Sequence, residues 1–133
     1  MEATKVGMTT GNRTENIRQT MSAGTLIGDK ISNAQNDDLG TLKEIMLDVD
    51  SGRVAYGVLE TGSFLGMGGK FLAIPWEAFS VDEPNHKLLL NVPKETLKDA
   101  EGFDKNNWPD TTDPEFGRRT HKHYGYAPYW DRS

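Results

Sequence analysis

The residue types able to do chemistry here are few: three histidines and a surplus of carboxylates, with no cysteine anywhere in the chain. His121 and His123 stand two positions apart. On an extended chain that spacing turns both rings to one side, as a histidine–carboxylate metal site would need. His86 is distant, no HExxH pattern occurs and no third ligand lies close in sequence. The pair is therefore weighed as metal ligands against ordinary solvated or structural histidines, and no metal is expected. Without cysteine, disulfides, zinc–thiolate sites and thiol nucleophiles are all excluded.

The carboxylates come in pairs, Asp37 with Asp38, Asp48 with Asp50, and Asp110 with Asp113. Acid–base catalysis needs such pairs perturbed inside a cleft, which the local sequence does not suggest. The Asp48-x-Asp50-x-Gly52 run is shorter than an EF-hand loop and lacks its terminal glutamate, so turn chemistry explains it better than calcium. Gly62, Gly66, Gly68 and Gly69 lead into Lys70, yet they lack the spacing of a P-loop and the hydroxyl residue after its lysine. That segment reads as a tight crossing of strands, or as an apolar tip made by Phe64, Leu65 and Met67 for a partner. Ser22, Ser32, Ser51, Ser63 and Ser80 sit in no nucleophile-elbow context. No catalysis and no cofactor are expected.

The elements that would position these residues are strand-like. The 133 residues are only 35% hydrophobic, which suits one compact core built from part of the chain. Leu26 to Leu97 holds nearly all the aliphatic runs, and fourteen glycines fit the tight turns of a small barrel. A first strand is expected over Thr25–Ile31. Leu42 to Asp48 and Val54 to Glu60 form a hairpin about the Asp48–Arg53 turn, with Ile45-Met46-Leu47 breaking alternation in a way that suggests burial on both faces. Phe71–Trp76 is a strand ended by Pro75. One helical turn near Glu77–Phe79 precedes a strand over Ser80–Asp82, a turn at Glu83–His86, a strand over Lys87–Val92 and a short helix opened by Pro93. The expected architecture is all-β, a five- to six-stranded barrel with short helical turns.

Flanking segments differ in character. Residues 1–21 form a polar arm without the apolar core of a secretory signal, with a short helix possible near Glu15–Met21. No run approaches the roughly 20 apolar residues of a membrane span, so a cytoplasmic protein without membrane insertion is expected. Residues 101–133 are irregular, proline-punctuated and aromatic. The rings of Trp108, Tyr129 and Trp130 are the expected anchors of this extension on the barrel, residues 22–100, or on a second subunit. The net charge is -5, and residues 21–100, with seven basic and twelve acidic residues, hold all of that excess (7 minus 12 is -5). That balance argues against nucleic acid as a partner.

Several short motifs carry a family resemblance. Leu26-Ile27-Gly28-Asp29-Lys30-Ile31, Asp38-Leu39-Gly40, the turn Leu47-Asp48-Val49-Asp50-Ser51-Gly52 and Ile74-Pro75-Trp76 together resemble the PRC-barrel, over roughly Ser22 to Leu97. The family includes the cytoplasmic domain of the photosynthetic reaction-centre H subunit and a domain of a ribosome-maturation factor. Gly102–Asp110 and Tyr124–Trp130 look like the extension of stand-alone bacterial members. The resemblance implies a small barrel used as an adaptor, with no catalytic residues to carry over. The function expected is a non-catalytic, self-associating protein-interaction module whose partner is unknown. The alternatives are a ligand- or metal-sensing barrel, and a role beside reaction centres or ribosomes.

Overall fold

A computed structural model describes residues 20–62 and 69–131. Most of the expected N-terminal arm, and the apolar tip Phe64, Leu65 and Met67, lie outside these residues. The described chain contains six strands: β1 (Lys30–Ser32), β2 (Asp38–Asp48), β3 (Arg53–Thr61), β4 (Phe71–Pro75), β5 (Phe79–Asp82) and β6 (Lys87–Leu90). They form one mixed sheet in the order β4-β3-β2-β1-β6-β5. Every pairing is antiparallel except β1 with β6, where Lys30 lies opposite Lys87.

The expected barrel is curled but not closed by hydrogen bonds, since β4 and β5 end the strand order on opposite sides. These two strands are nevertheless joined by one 3₁₀ turn, Trp76–Ala78, so the two ends of the sheet must meet at that corner. The contact is visible at Gly57 of β3, where an added Cβ would stand 2.7 Å from the ring of Phe79 in β5. Glycine lets the opposite wall approach closely enough to shut the interior. Inside lie Ile31, Leu39, Leu42, Leu59, Leu72, Ile74, Leu88, Leu90 and Leu97.

Three expectations need correction. The strand foreseen from Thr25 is instead a one-turn helix, α1 (Ala23–Leu26), started by Ser22, whose hydroxyl accepts from the Gly24 N–H at 3.2 Å. A serine in this position satisfies an otherwise unpaired donor and so favours a helix start. The break in alternation at Ile45-Met46-Leu47 does not bury both faces. It marks a bulge, with the register shifting between Met46 and Leu47, and leaves Leu47 62% exposed. Finally, the fold is not all-β and the C-terminal extension is not irregular throughout. The short helix expected after Pro93 is present as α2 (Lys94–Lys98), and the extension contains an eleven-residue helix, α3 (Pro114–Tyr124).

Helix α3 follows from its ends. Asp113 caps it by accepting from the Glu115 N–H at 3.0 Å, Pro114 fills the first helical position, and Gly125 ends it at φ 84°. Each choice matches the backbone demand at that point. Its buried residues Phe116, Gly117, His121 and Tyr124 fall on one face. Phe116 of that face packs with Tyr129 against Ala55, Tyr56 and Ala73 in a second core, whereas Tyr124 joins the main one. All five residues of β4 are buried: Leu72 and Ile74 belong to the main core, Ala73 to the second, and Phe71 packs against Phe103 and Trp108. Phe116 and Tyr129 each contribute roughly 1.5–3 kcal/mol through their burial. Among the described residues, no helix is long and apolar enough to cross a membrane.

Candidate docking site

The C-terminal segment and the tip of the β2–β3 hairpin together enclose a cavity of about 430 Å³. That volume lies within the roughly 300–1,000 Å³ usual for binding sites. Ala55 and Tyr56 of β3 and Gly117 of α3 line it from within, and Tyr129 and Trp130 line it from the chain's final turn. Gly117 is required there, because an added Cβ would stand 2.5 Å from Trp130 Cη2 and 3.0 Å from the Tyr56 hydroxyl.

The hairpin tip is built by Asp48. Its Oδ1 accepts from the N–H groups of Asp50 at 3.1 Å and Ser51 at 3.2 Å, and Gly52 supplies the positive φ of 76° that the turn requires. Its Oδ2 accepts from the Tyr129 hydroxyl at 2.7 Å, tying the tip to the C-terminal segment. The Tyr129 bond, followed by the Ser51 N–H, holds the Asp48 carboxyl below its ordinary value of 3.8. Burial, with help from the same bond, pushes the Tyr129 phenol up. Arg53 completes the tie: its Nη1 donates to the Tyr129 carbonyl at 2.7 Å, and its guanidinium lies 5.9 Å from the ring centre.

Exposed apolar groups surround this cavity. Leu47 is 62% exposed, Val49 84% and Trp130 39%, and all three line it. Large aliphatic side chains in a tight turn have no folding reason to face water, and their convergence with an exposed indole makes a patch of the kind partners cover.

The expected site residues separate into groups. Tyr129 and Trp130 come together, Tyr129 buried as a support and Trp130 half-open at the surface. Trp108 belongs to another cluster, edge-on to Phe71 at 5.8 Å and tilted against Phe103 at 5.0 Å, with its indole N–H donating to the Lys105 carbonyl at 2.9 Å. His121 and His123 do not share a side. They lie in α3, where residues two apart point away from each other. His121 is fully buried, with Nδ1 2.8 Å from the Gly117 carbonyl, whereas His123 is exposed, with Nε2 2.7 Å from the Thr96 carbonyl. Among the described residues no group of three or more potential ligands is placed to hold a metal. The carboxylate pairs serve local structure: Asp37 binds Asn33, Asp110 accepts from Thr112, and Asp113 caps α3. The Thr112 hydroxyl holds the Asp110 carboxyl below its ordinary range.

Sequence reasoning missed Leu47, Val49, Tyr56 and Gly117 as site residues. The first two were legible as aliphatic residues flanking a turn aspartate, a position where polar residues are usual.

The curled six-stranded sheet has a counterpart among protein families: the PRC-barrel domain model matches residues 18–97, from before α1 to the end of α2's core-facing Leu97. The helix and final turn that wall the cavity lie beyond the matched span. No curated protein matches the chain significantly. With the match extending over well more than half of its 133 residues, and with a curled sheet to go with it, the chain belongs to the PRC-barrel domain family.

Proposed function

We propose that this chain is a non-catalytic adaptor of the cytoplasm, which docks a protein partner on the face made by the β2–β3 hairpin tip and the C-terminal segment. The observation carrying this reading is the convergence of exposed Leu47, Val49 and Trp130 on one cavity. A flat polar face would offer no comparable gain on binding, since interface energy concentrates in a few desolvated anchors. The test compares the intact chain with a Leu47→Ser, Val49→Ser double variant as baits in lysate from the source organism. Both positions are exposed, so circular dichroism and melting should be unchanged while specifically captured proteins fall at least about fivefold. Identical capture by both baits would remove the proposal.

Self-association is a second reading, favoured by the outer edge of β5. Among the described residues that strand ends the sheet order, and Val81 is 41% exposed there. An unpaired strand edge is a template for pairing with another chain. Light scattering should show a concentration-dependent dimer that Val81→Lys converts to monomer. A constant monomer mass across the range would dismiss it.

A further inference from the structure

We infer that the cavity receives the guanidinium group of an arginine side chain presented by the docked partner, an inference that rests on the docking reading above. Three features of the cavity converge on this chemistry.

The first is an unused acceptor at its base. Tyr56 is 3% exposed and lines the cavity, and its hydroxyl forms no hydrogen bond with any described residue. That hydroxyl is open to the cavity, where an arriving N–H donor would find it as an acceptor. Burial, together with the charge of Glu77, pushes the Tyr56 phenol up to about 12, so it is a neutral hydroxyl at ordinary pH.

The second is charge. Among the described residues, Asp48, Asp50 and Asp113 line the cavity against one lining cation, Arg118, whose Nη1 is already 3.2 Å from Glu115 Oε2. Arg53, just outside, is engaged by the Tyr129 carbonyl. Both oxygens of Asp48 are occupied, and Asp113 uses one oxygen on the helix start. The Asp50 carboxylate and the second oxygen of Asp113 form no hydrogen bond with any described residue, and this surplus of negative charge favours a cation.

The third is the wall. Trp130 presents a partly exposed indole, and rings of this kind attract cations over their faces. A guanidinium suits the combination better than an ammonium: it is planar, weakly hydrated, stacks on aromatic rings and directs several N–H groups toward separate acceptors. Leu47 and Val49, exposed where they line the cavity, would cover apolar neighbours of the arginine on the partner.

The test uses the full chain and a blocked peptide, acetyl-Gly-Leu-Arg-Leu-Gly-amide. Its counterparts carry lysine, or citrulline, which keeps the shape of arginine without its charge. Binding is followed by amide and indole NMR shifts. The arginine peptide should bind at least about tenfold more tightly than the citrulline peptide, with the lysine peptide between, and should weaken severalfold as salt rises past the screening range. Shifts should concentrate at Asp50, Asp113 and the Trp130 indole. Asp50→Asn with Asp113→Asn should bring the arginine and citrulline affinities together, and asparagine still caps α3. Tyr56→Phe should weaken the arginine peptide while melting still reports a folded chain. Equal binding of arginine and citrulline peptides would overturn the inference and leave the docking face intact. No shift with any peptide at millimolar concentration would overturn it too. In that case capture by the Leu47→Ser, Val49→Ser bait decides separately whether the face docks a protein.

Discussion

Tyr129 joins two regions of chemistry at one residue. Its ring fills the second core, its hydroxyl donates to Asp48 at 2.7 Å and its carbonyl accepts from Arg53. Tyr129→Phe keeps the ring and removes the hydroxyl bond, so it should lower stability at neutral pH. The pH dependence has a defined sign. The Asp48 carboxyl is held below 3.8 when folded, so the stability from its contacts is present above the unfolded value and is lost as pH falls through the lower folded value. The melting difference between wild type and Tyr129→Phe should therefore shrink toward zero below about pH 4. A difference that persists unchanged into acid would mean that packing, not the bond, accounts for it. His121 is the other informative residue: fully buried, with Nε2 unpaired, it lies among Tyr56, Tyr129 and Trp130 at ring separations of 5.6–5.7 Å. His121→Ala should cost roughly 2–4 kcal/mol through the void it leaves, whereas His121→Phe, which refills the space, should cost distinctly less in a denaturant titration.

Helix α3 is where sequence reading and structure diverge most. Its cap, its N1 proline and its terminal glycine were all present as Asp113, Pro114 and Gly125. The prolines at 109, 114 and 128 and the scattered rings outweighed them in a reading for irregular structure. A proline signals a helix start when an aspartate precedes it, and this local rule would have recovered the element. The β2–β3 hairpin was legible because its turn chemistry and strand pattern agree, while the exposure of Leu47 was not, since a bulge decides it and bulges leave little trace in sequence. Two substitutions test the helix. Asp113→Ala should destabilise by about 1 kcal/mol through loss of the cap. Gly117→Ala forces a methyl against Trp130 and the Tyr56 hydroxyl, and should both lower the melting temperature and shift tryptophan emission. An alanine at 117 tolerated without spectral change would mean that Trp130 moves freely off the cavity wall.

At the scale of the whole molecule, the chain is a curled sheet of the PRC-barrel domain family with an added outer layer. The matched span was legible from ordered short motifs, because turn glycines and aspartates sit where strand geometry demands them. The site was less legible, since its walls come from β2, β3, α3 and the last turn, which only the folded chain brings together. Removing residues 111–133 should bare Ala55, Tyr56 and Ala73 and take Tyr124 from the edge of the inner core, leaving its strand residues in place. The truncated chain should melt lower and bind a hydrophobic dye that the intact chain excludes. An unchanged melting profile would show that the layer contributes nothing to stability.

The parallel pairing of β1 with β6 also governs how the chain reaches this state. The β2–β3 and β3–β4 pairings link consecutive strands, so each can form soon after its own turn does. Lys30 meets Lys87 only after everything between them has been laid down. Closing so large a loop is entropically unfavourable, and contacts of that separation slow folding. Leu88 and Leu90 reach the inner core from β6, so the core is completed by the strand docked through this late step. Until β6 arrives, the β2–β3–β4 meander has an open inner face. The order of assembly thus makes β1–β6 docking the event that commits the chain to its native state.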